Sequence, residues 1–402
     1  MTYSLTSELI LGRARINERA ARVLAAEFTR HPGPKTGLLV GAEVGSPTLL
    51  AVLDALGPND SLTVLTDDPF SAPGVHVIEK LSEATPADVV IVAAPIVGTA
   101  DEARETLAAL RELVAPGGVL SLAIPAFLRG SRPAVDEVLR QVAAYGVGSD
   151  LVLRSTPPVR VHRLRYTPGS VETAENLISV TRPSSIPLTG TMNIDSNGVA
   201  AFSICAGLAV TAKVIAPRTK LWLLPATAAL PVAAFFRDPE RSVPEDPSTV
   251  VAAADGKVLS VERITDDRFG DKTDWLRIAV FLSVLDVHVN RAPVAGRVVD
   301  SFVEDGGFAA AMKPEAEHNV AAYTVLDSTH GRVVIAQRTG LIARRIVRRA
   351  SVGFLLAKGE RYGLIRFGSR TDVYLPADTA EPLVAPGDRV VGGSTVIARW
   401  VA

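Results

Sequence analysis

A glycine-serine pair near the carboxyl end of the chain carries the most distinctive chemistry of the sequence. A short apolar segment at 363–365 is followed by the run Arg366-Phe367-Gly368-Ser369-Arg370. The hydroxyl of Ser369 can attack the carbonyl of Gly368 and convert the amide into an ester, and β-elimination then leaves a new chain that begins with a pyruvoyl group. Such a ketone can hold an amino-acid substrate as a Schiff base and accept electrons while CO2 leaves. The pair therefore predicts self-cleavage between residues 368 and 369.

Self-cleavage and decarboxylation both need a general base or acid, and histidine suits either task because its ordinary pKa lies near neutrality. The candidates in the carboxyl-terminal region are His288, His318 and His330. His288 lies in a β-rich stretch before Val-Asn-Arg, where a purely structural histidine has little reason to be, so we expect it to be catalytic. Asp286 would point to the same strand face and orient the imidazole, and a structural role for it is equally open.

Six segments in this order resemble the phosphatidylserine decarboxylases over residues 190–402. They lie at 235–241, 253–258, 281–283, 286–293, 340–346 and 366–370. The Val-Asn-Arg that follows His288 is similar to the shorter, second class of that family. The resemblance implies a self-processed pyruvoyl enzyme that forms a Schiff base with phosphatidylserine, or a close analogue, and releases CO2 to give phosphatidylethanolamine. It further implies a homo-oligomer, expected to be a dimer, at the cytoplasmic face of the cell membrane, where it is peripheral or monotopic.

The resemblance also assigns roles to individual residues. In the family an Asp in an Asp-Gly turn completes a charge relay with a His and the cleaved Ser, and Asp255 matches that position; a plain turn residue is the alternative, because Asp-Gly is a common hairpin turn. The better-known class has a second His three residues after the first, whereas this chain has Arg291. Either His288 does both jobs, or another group supplies one of them. Candidate substrate-binding or orienting residues are Asp286, Arg291, Asn319 and Arg370.

Apolar strands alternate with amphipathic helices through the first 180 residues, which indicates an α/β fold with a mostly parallel, Rossmann-like sheet. We expect a helix over 1–30, because apolar residues recur there at helical spacing. The pattern further predicts strands near 37–42, 61–66, 87–94, 118–124, 149–156 and 159–166, and helices near 46–56, 100–114 and 131–145. Turn formers then predict a linker over 181–196.

Four segments of this region resemble the class I methyltransferase fold: 38–46, 67–68, 87–92 and 114–120. The resemblance implies that Gly41, Glu43 and Gly45 lie under S-adenosylmethionine and that Asp67 reaches its ribose, which makes this molecule a candidate second cofactor. Glu43 stands where a glycine is expected and would crowd the methionine moiety. A structural relic without cofactor stays open beside a working methyltransferase, including one that methylates the amine product of the second half.

Two apolar runs, at 199–212 and 221–236, form the core of a segment that we place at 197–247. Both fall short of the ~18–20 apolar residues that span a bilayer, and Lys213, Pro225 and Pro231 interrupt or bound them. We expect a helical hairpin dipped into one leaflet, with basic residues at its flanks that reach lipid phosphates. A hairpin buried inside the protein is the alternative.

Residues 248–402 read as all β, since short strands rich in Val and Ile alternate with Asp-Gly, Ala-Gly, Gly-Gly and Pro-Gly turns. This pattern predicts a barrel-like sandwich that carries the decarboxylase chemistry. A biotinyl or lipoyl carrier is a further alternative, because Ala311-Met312-Lys313 is similar to the modified hairpin of carriers. Pro314 and the unexplained Asp-Val-His segment count against it.

Composition limits the remaining classes. Basic and acidic residues balance at 42 and 43, so no nucleic-acid partner is expected. The single cysteine, Cys205, excludes an internal disulfide and a cysteine-based metal cluster, and we expect no metal site. The start of the sequence lacks a basic region followed by an apolar core, so we expect no secretory signal and a cytoplasmic protein.

Overall fold

The structure is a computed structural model that describes residues 3–6, 9–12, 16–127, 132–179, 185–269, 273–341, 345–365 and 369–401. The chain divides into two compact units, the first formed by 1–184 with 351–355 and the second by 185–350 with 356–402. The linker predicted at 181–196 contains this boundary, and its part from 185 onward belongs to the second unit.

The first unit alternates strands and helices along the chain. Its strands are β1 (Tyr3–Thr6), β2 (Leu9–Leu11), β3 (Thr36–Val40), β4 (Ser61–Leu65), β5 (Val75–Ile78), β6 (Ala87–Val92), β7 (Val114–Pro125), β8 (Gly146–Val152) and β9 (Val159–Leu164). Its helices are α1 (Glu18–Leu24), α2 (Ala26–Arg30), α3 (Pro47–Ala55), α4 (Ala100–Glu112), α5 (Pro133–Tyr145) and α6 (Val171–Glu175).

Seven of these strands form one sheet in the order β5-β4-β3-β6-β7-β9-β8. Strands β3 to β7 pair in parallel, whereas β9 runs antiparallel to both of its neighbours. Apolar side chains from both faces of the sheet form two buried clusters with the helices. The predicted α/β fold with a mostly parallel sheet is therefore confirmed.

The predicted helix over 1–30 is wrong in its first part. Leu9–Leu11 is a strand that pairs with β1 and forms a bridge from Leu11 to Ile96, so its apolar residues are buried by pairing with other strands. Helix α1 begins only at Glu18, where the side chain of Asn17 accepts a hydrogen bond from the Ala20 amide at 3.0 Å and caps the helix.

The second unit starts with two short strands and a helical pair and continues in strands. The helices are α7 (Ser196–Ile215) and α8 (Leu223–Phe235). The strands are β10 (Ile186–Pro187), β11 (Met192–Ile194), β12 (Arg237–Pro239), β13 (Thr249–Val251), β14 (Gly256–Asp266), β15 (Thr273–Leu282), β16 (Val289–Arg291), β17 (Gly296–Glu304), β18 (Ala321–Ser328), β19 (Gly331–Arg338), β20 (Ile346–Arg348), β21 (Leu355–Leu356), β22 (Arg361–Ile365), β23 (Ser369–Pro376), β24 (Ala380–Pro382), β25 (Arg389–Val390) and β26 (Val396–Trp400).

The largest sheet of the second unit contains the strand that begins at Ser369. Its order is β21-β17-β18-β19-β23-β15-β14-β25, and each neighbouring pair from β17 to β25 in that order is antiparallel. Strand β23 therefore lies between β19 and β15. A smaller sheet has the order β16-β22-β20. The predicted β character of 248–402 is confirmed in the described residues, and closure into a barrel-like sandwich stays a prediction.

The predicted helical hairpin is present as α7 and α8, and most of its apolar surface is exposed. Ile215 and Leu224 are 78% and 77% exposed, and only 11% of the most apolar window of α7 is buried. The length prediction was wrong for α7, because the helix continues beyond the apolar run at both ends and reaches 20 residues. It is long and apolar enough to cross a membrane, although length and composition alone are weak evidence.

A buried ion-pair network lies on one face of the large sheet. Arg338 and Asp372 are both fully buried, and the guanidinium donates from Nε to the carboxylate at 2.8 Å. Arg338 also donates to the hydroxyls of Tyr323 and Tyr374, each at 3.0 Å. Arg370 donates to the second oxygen of Asp372 at 2.6 Å. Because buried charges are costly unless they are paired, these contacts fix the register of β19 and β23.

We expect Arg338→Met to lower the free energy of unfolding by about 3 kcal/mol, because the carboxylate of Asp372 would lose one of its buried partners. Urea unfolding followed by fluorescence measures this, since all three tryptophans lie in the second unit. The comparison is made in chains that carry Ser369→Ala, so that each remains a single polypeptide. The control is Arg332→Met in the same strand, which removes a largely exposed guanidinium. It should lower the free energy of unfolding by at most about 1 kcal/mol. Equal losses would contradict the role of the network.

Candidate active site

Ser369 is the first residue of β23 and is completely buried. Its backbone pairs with Leu282 of β15, and the next residue of the strand pairs with Arg338 of β19. Within the described part of the chain, its Oγ atom has no hydrogen-bond partner. A buried hydroxyl without a partner costs free energy, so its presence requires a reason such as chemistry. Gly368 lies outside the described residues, as does the rest of 366–368.

His288 is also buried, with 1% of its surface exposed. Its ring packs on that of Phe235 at the end of α8, with 4.1 Å between the ring centroids. Its Nδ1 lies 2.9 Å from the carbonyl oxygen of Asp286. A carbonyl can only accept, so Nδ1 carries the proton and Nε2 has the lone pair. Burial lowers the pKa of His288 to about 4, so the ring is neutral at pH 7.

The backbone brings the segments of His288 and Ser369 together. The amide of Ile365, the last residue of β22, donates to the carbonyl of His288 at 3.3 Å. Three residues separate Ile365 from Ser369, and β22 and β23 belong to different sheets. The predicted base and the predicted nucleophile therefore lie on segments that meet where the chain passes from one sheet to the other.

The two predicted aspartates are hydrogen-bonded to other groups. Asp255 accepts from Arg241 at 2.7 Å and from the Gly392 amide at 2.8 Å. Burial raises the pKa of the Asp255 carboxyl, while Arg241 opposes that change. Asp286 accepts from the Ser283 amide and from Arg389, and it contacts His288 through its backbone carbonyl. The charge relay through Asp255 stays a prediction.

The other predicted binding residues are engaged in structural contacts. Arg291 donates to Asp238 at 3.1 Å, and burial lowers its pKa to about 9. Asn319 accepts from the Ala309 amide and donates to the carbonyls of Ala309 and Thr339. Arg370 lies on the opposite face of β23 from Ser369, because side chains alternate along a strand. The structure therefore does not bring the side chain of Arg370 together with that of Ser369.

A buried polar group on the face of Ser369 went unrecognised in the sequence. Thr371 lies two residues after Ser369, and Gln337 of β19 is its cross-strand partner. The Nε2 of Gln337 donates to the Oδ1 of Asn290 at 2.7 Å. The Oε1 of Gln337, the Nδ2 of Asn290 and the hydroxyl of Thr371 have no hydrogen-bond partner among the described residues. Gln337 follows the apolar run 333–336 of β19, and a polar residue directly after such a run is the signal that could have identified it.

The residues predicted to hold S-adenosylmethionine do not fit that molecule. Gly41 follows β3 at the carboxyl edge of the sheet, where such ligands bind. A Cβ on Gly41 would lie 2.9 Å from the Cβ of Ala94 and 3.0 Å from the Cδ1 of Leu11. The buried β2 therefore covers the glycine that should leave room for the cofactor. Glu43, Gly45 and Asp67 are exposed beyond it.

Two of the solved structures with weak similarity to the chain are methyltransferases. A 1,6-didemethyltoxoflavin-N1-methyltransferase from Burkholderia thailandensis is 20% identical with a TM-score of 0.29, and the alignment covers 37% of this chain and 78% of that one. A precorrin-6y C5,15-methyltransferase from Geobacter metallireducens GS-15 is 16% identical with a TM-score of 0.29, over 40% of this chain and 98% of that one. The fold of the first unit is therefore assigned from the strand order of its own sheet.

The second unit matches known proteins closely. The family model described as phosphatidylserine decarboxylase matches residues 229–398. The phosphatidylserine decarboxylase proenzyme of Symbiobacterium thermophilum is 51% identical over 169 residues, which cover 41% of this chain and 77% of the relative. The proenzyme of Gluconacetobacter diazotrophicus is 49% identical over 172 residues, which cover 41% of this chain and 75% of the relative.

These matches define the chain as a decarboxylase. Its second unit holds a buried serine at the start of a strand and a buried neutral histidine. The chain belongs to the phosphatidylserine decarboxylase family. The family resemblance seen in the sequence is confirmed, and the carrier alternative at Lys313 finds no support in the matches.

The lowered pKa of His288 makes a prediction about stability and pH. The folded-state pKa is about 4 and the ordinary value 6.5, so between these values the unfolded chain binds a proton that the folded chain does not. Stability contributed by the neutral ring is therefore present above pH 6.5 and is lost as pH falls through the window. The comparison is made in chains that carry Ser369→Ala. Between pH 7 and pH 5, the fall in the free energy of unfolding should be about 2 kcal/mol smaller for His288→Gln than for the parent chain. Urea unfolding at the two pH values measures the difference.

The control for this experiment is His318→Gln, which changes an exposed ring of the same unit. We expect its loss between pH 7 and pH 5 to equal that of the parent. An equal loss in the His288 variant would show that the ring is not held neutral by burial.

Proposed function

We propose that this chain is a phosphatidylserine decarboxylase that cleaves itself between Gly368 and Ser369. The single observation that carries the proposal is the burial of Ser369 without a hydrogen-bond partner for its hydroxyl among the described residues. The similarity of the second unit to phosphatidylserine decarboxylase proenzymes supports the same activity. A close analogue of phosphatidylserine is the alternative substrate.

The cleavage rearranges bonds within the chain and needs only water as a co-reactant. The Oγ of Ser369 attacks the carbonyl carbon of Gly368, and the C–N bond breaks as the amide becomes an ester. Loss of the α proton then breaks the Cβ–Oγ bond and leaves a carboxylate on Gly368 and a dehydroalanine at position 369. Water hydrolyses its imine tautomer and releases ammonia, which leaves the pyruvoyl group. That group supplies the electron sink for decarboxylation.

His288 is proposed as the base that takes a proton during this sequence. Its neutral ring and the Nδ1–H bond to the Asp286 carbonyl leave the Nε2 lone pair as the proton acceptor. Asp286 is accordingly a positioning residue that acts through its backbone, and Asp255 is retained as the proposed relay partner. Arg291 is proposed to hold β16 in place through Asp238 rather than to replace the second histidine of other family members.

Ladders across the large sheet should keep the two fragments together after cleavage. The fragment that begins at residue 369 contains β23 to β26. Strand β23 is paired with β15 and β19, β25 with β14, and β26 with β13. These pairings all join the smaller fragment to the larger one. The new pyruvoyl terminus would therefore stay fixed at the position that Ser369 has in the precursor.

The apolar hairpin supports work at a membrane surface. Helices α7 and α8 expose large apolar side chains along both helices, including Ile204, Leu208, Val214 and Leu224. Phe235, the last residue of α8, packs on His288, so the carboxyl end of the hairpin contacts the proposed base. We propose that it enters one leaflet of the cytoplasmic face of the cell membrane and brings a substrate with two acyl chains to the site. A homo-oligomer, expected to be a dimer, remains part of this proposal.

The first unit has no proposed methyl-transfer role. Leu11 covers Gly41 at the edge where S-adenosylmethionine would bind, and this contact favours a unit without that cofactor. Titration calorimetry of the full chain with S-adenosylmethionine should show no saturable heat. Saturable binding would restore the bifunctional alternative.

The central test is Ser369→Ala, which removes the nucleophile. We expect an uncleaved, inactive chain, whereas the unaltered protein should give fragments 1–368 and 369–402 under denaturing conditions, with mass spectrometry as the measurement. Thr371→Ala is the matched control, because it removes a buried hydroxyl from the same face two residues later, and cleavage should persist. The proposal fails if the unaltered chain stays whole yet releases CO2, or if Ser369→Ala is still cleaved.

We expect Leu224→Asp combined with Ile215→Asp to lower the fraction of protein bound to phosphatidylserine-containing vesicles by about tenfold, because two exposed apolar side chains would lose their burial in lipid. Vesicle sedimentation measures the bound fraction. The matched control is Leu50→Asp in the first unit, a leucine that is 57% exposed, and its binding should be unchanged. Unchanged binding of the hairpin variant would rule out the proposed insertion.

A further inference from the structure

A cavity of about 540 Å³ lies within the first unit and takes no part in the proposed chemistry. It is at the amino ends of the parallel strands, since Asp88 of β6 and residues 116–119 in β7 line it, together with Lys35 just before β3. Ligands of such sheets bind at the opposite, carboxyl edge, which β2 covers in this chain. Its size is that of a site for a small molecule.

Arg165 lines the cavity and has no carboxylate partner in the described part of the chain. Only 8% of the residue is exposed, and one terminal nitrogen donates to the carbonyl of Gly353, in the short segment that belongs to the same unit. Its Nε has no hydrogen-bond partner among the described residues. Burial lowers the pKa of Arg165 to about 10; the carboxylate of Glu27 opposes this change only in part, and Arg30 adds to it.

The neighbouring charges are already matched with each other. Glu27 pairs with Arg30 at 2.9 Å and with Arg163 at 2.8 Å, and Arg163 also pairs with Asp150 at 2.8 Å. Glu27 also attracts Arg165, but two carboxylates here face three guanidiniums, so one positive charge of the group is not balanced. A buried guanidinium of this kind is stable when an anion joins it.

The remaining groups around the cavity are polar and differ in charge. The ammonium group of Lys35 pairs with Asp60 at 2.5 Å, and Asp88 accepts from Thr36. Burial lowers the pKa of His31, which leaves it as a neutral hydrogen-bonding group. Ser170 and Thr173 add two hydroxyls that share a hydrogen bond at 2.9 Å, so that one of the two protons is directed elsewhere, while Glu172 places a negative charge at the rim.

We propose that this cavity binds a small phosphate-bearing molecule whose anionic group pairs with the guanidinium of Arg165. Guanidinium and phosphate match in geometry and charge, and His31 with the two hydroxyls can complete the hydrogen bonds of the phosphate oxygens. The cavity is larger than phosphate alone. The remainder of the ligand occupies the space between Asp88 and the lining prolines, which are Pro32, Pro34, Pro116 and Pro168. This site is independent of the decarboxylase chemistry in the second unit.

Titration calorimetry of the full-length chain with inorganic phosphate, at constant ionic strength with chloride as the balancing anion, tests the proposal. We expect saturable binding with a Kd of about 1 mM. Arg165→Met keeps the apolar stem but removes the charge, and it should weaken binding by about tenfold or more. Without phosphate, the thermal midpoint of this variant should not fall, because an unmatched buried charge has been removed.

Arg160→Met is the matched control, since Arg160 belongs to β9, just before Arg165, but does not line the cavity; its affinity for phosphate should be unchanged. Glu172→Gln removes the rim charge and should tighten binding by about twofold, which gives a second readout that does not depend on the buried arginine. The proposal is overturned if phosphate gives no saturable heat in the unaltered chain. Equal affinity in the Arg165 variant would overturn it as well.

Discussion

The bond proposed to react precedes Ser369, the first residue of a strand that belongs to a different sheet from β22, and the proposed site depends on that constraint. Strand β22 ends at Ile365 in a three-stranded sheet, and β23 begins at Ser369 between two strands of the large sheet. Because both strands are held by ladders, three residues must bridge fixed ends. A nucleophile held in this way has already lost most of its conformational freedom, which is a large part of what an intramolecular reaction needs. The ladders also explain how cleavage can leave the fold intact.

Burial sets the electrostatics on the two faces of β23 in different ways. On the face of Ser369, it leaves hydroxyls and parts of an amide pair without partners among the described residues, and on the segment that pairs with Ile365 it keeps His288 neutral. On the opposite face, Arg338 and Arg370 saturate Asp372 with charge-assisted hydrogen bonds. Charged groups that pair with each other are held rigidly, whereas unpaired polar groups are costly and are tolerated where chemistry needs them. The rigid face therefore supports the reactive one.

The sequence predicted the parts of the fold that local pattern controls. In the first unit, β3, β4, β6 and β7 follow from runs of apolar residues that a parallel sheet buries on both faces. Leu9–Leu11 could not be recognised as a strand, because the bridge that buries it joins Leu11 to Ile96, far along the chain. At the site, the types of Ser369 and His288 carried the prediction, while the pairing of Gln337 with Asn290 depends on which strands become neighbours.

The two edges of the parallel sheet in the first unit differ: the carboxyl edge is covered by the chain itself, whereas the amino edge has an open cavity. At the carboxyl edge, Leu11 is buried against Gly41, and filling a cleft with the chain's own apolar groups stabilises the fold through removal of surface from water. At the amino edge, Arg165 lines an open cavity, and the shared carboxylate of Glu27 offsets its buried charge only in part. A methionine or leucine at that position would avoid the desolvation cost, so packing alone does not account for a guanidinium there. A ligand that supplies the missing negative charge does account for it, because the cost is then offset whenever the cavity is filled.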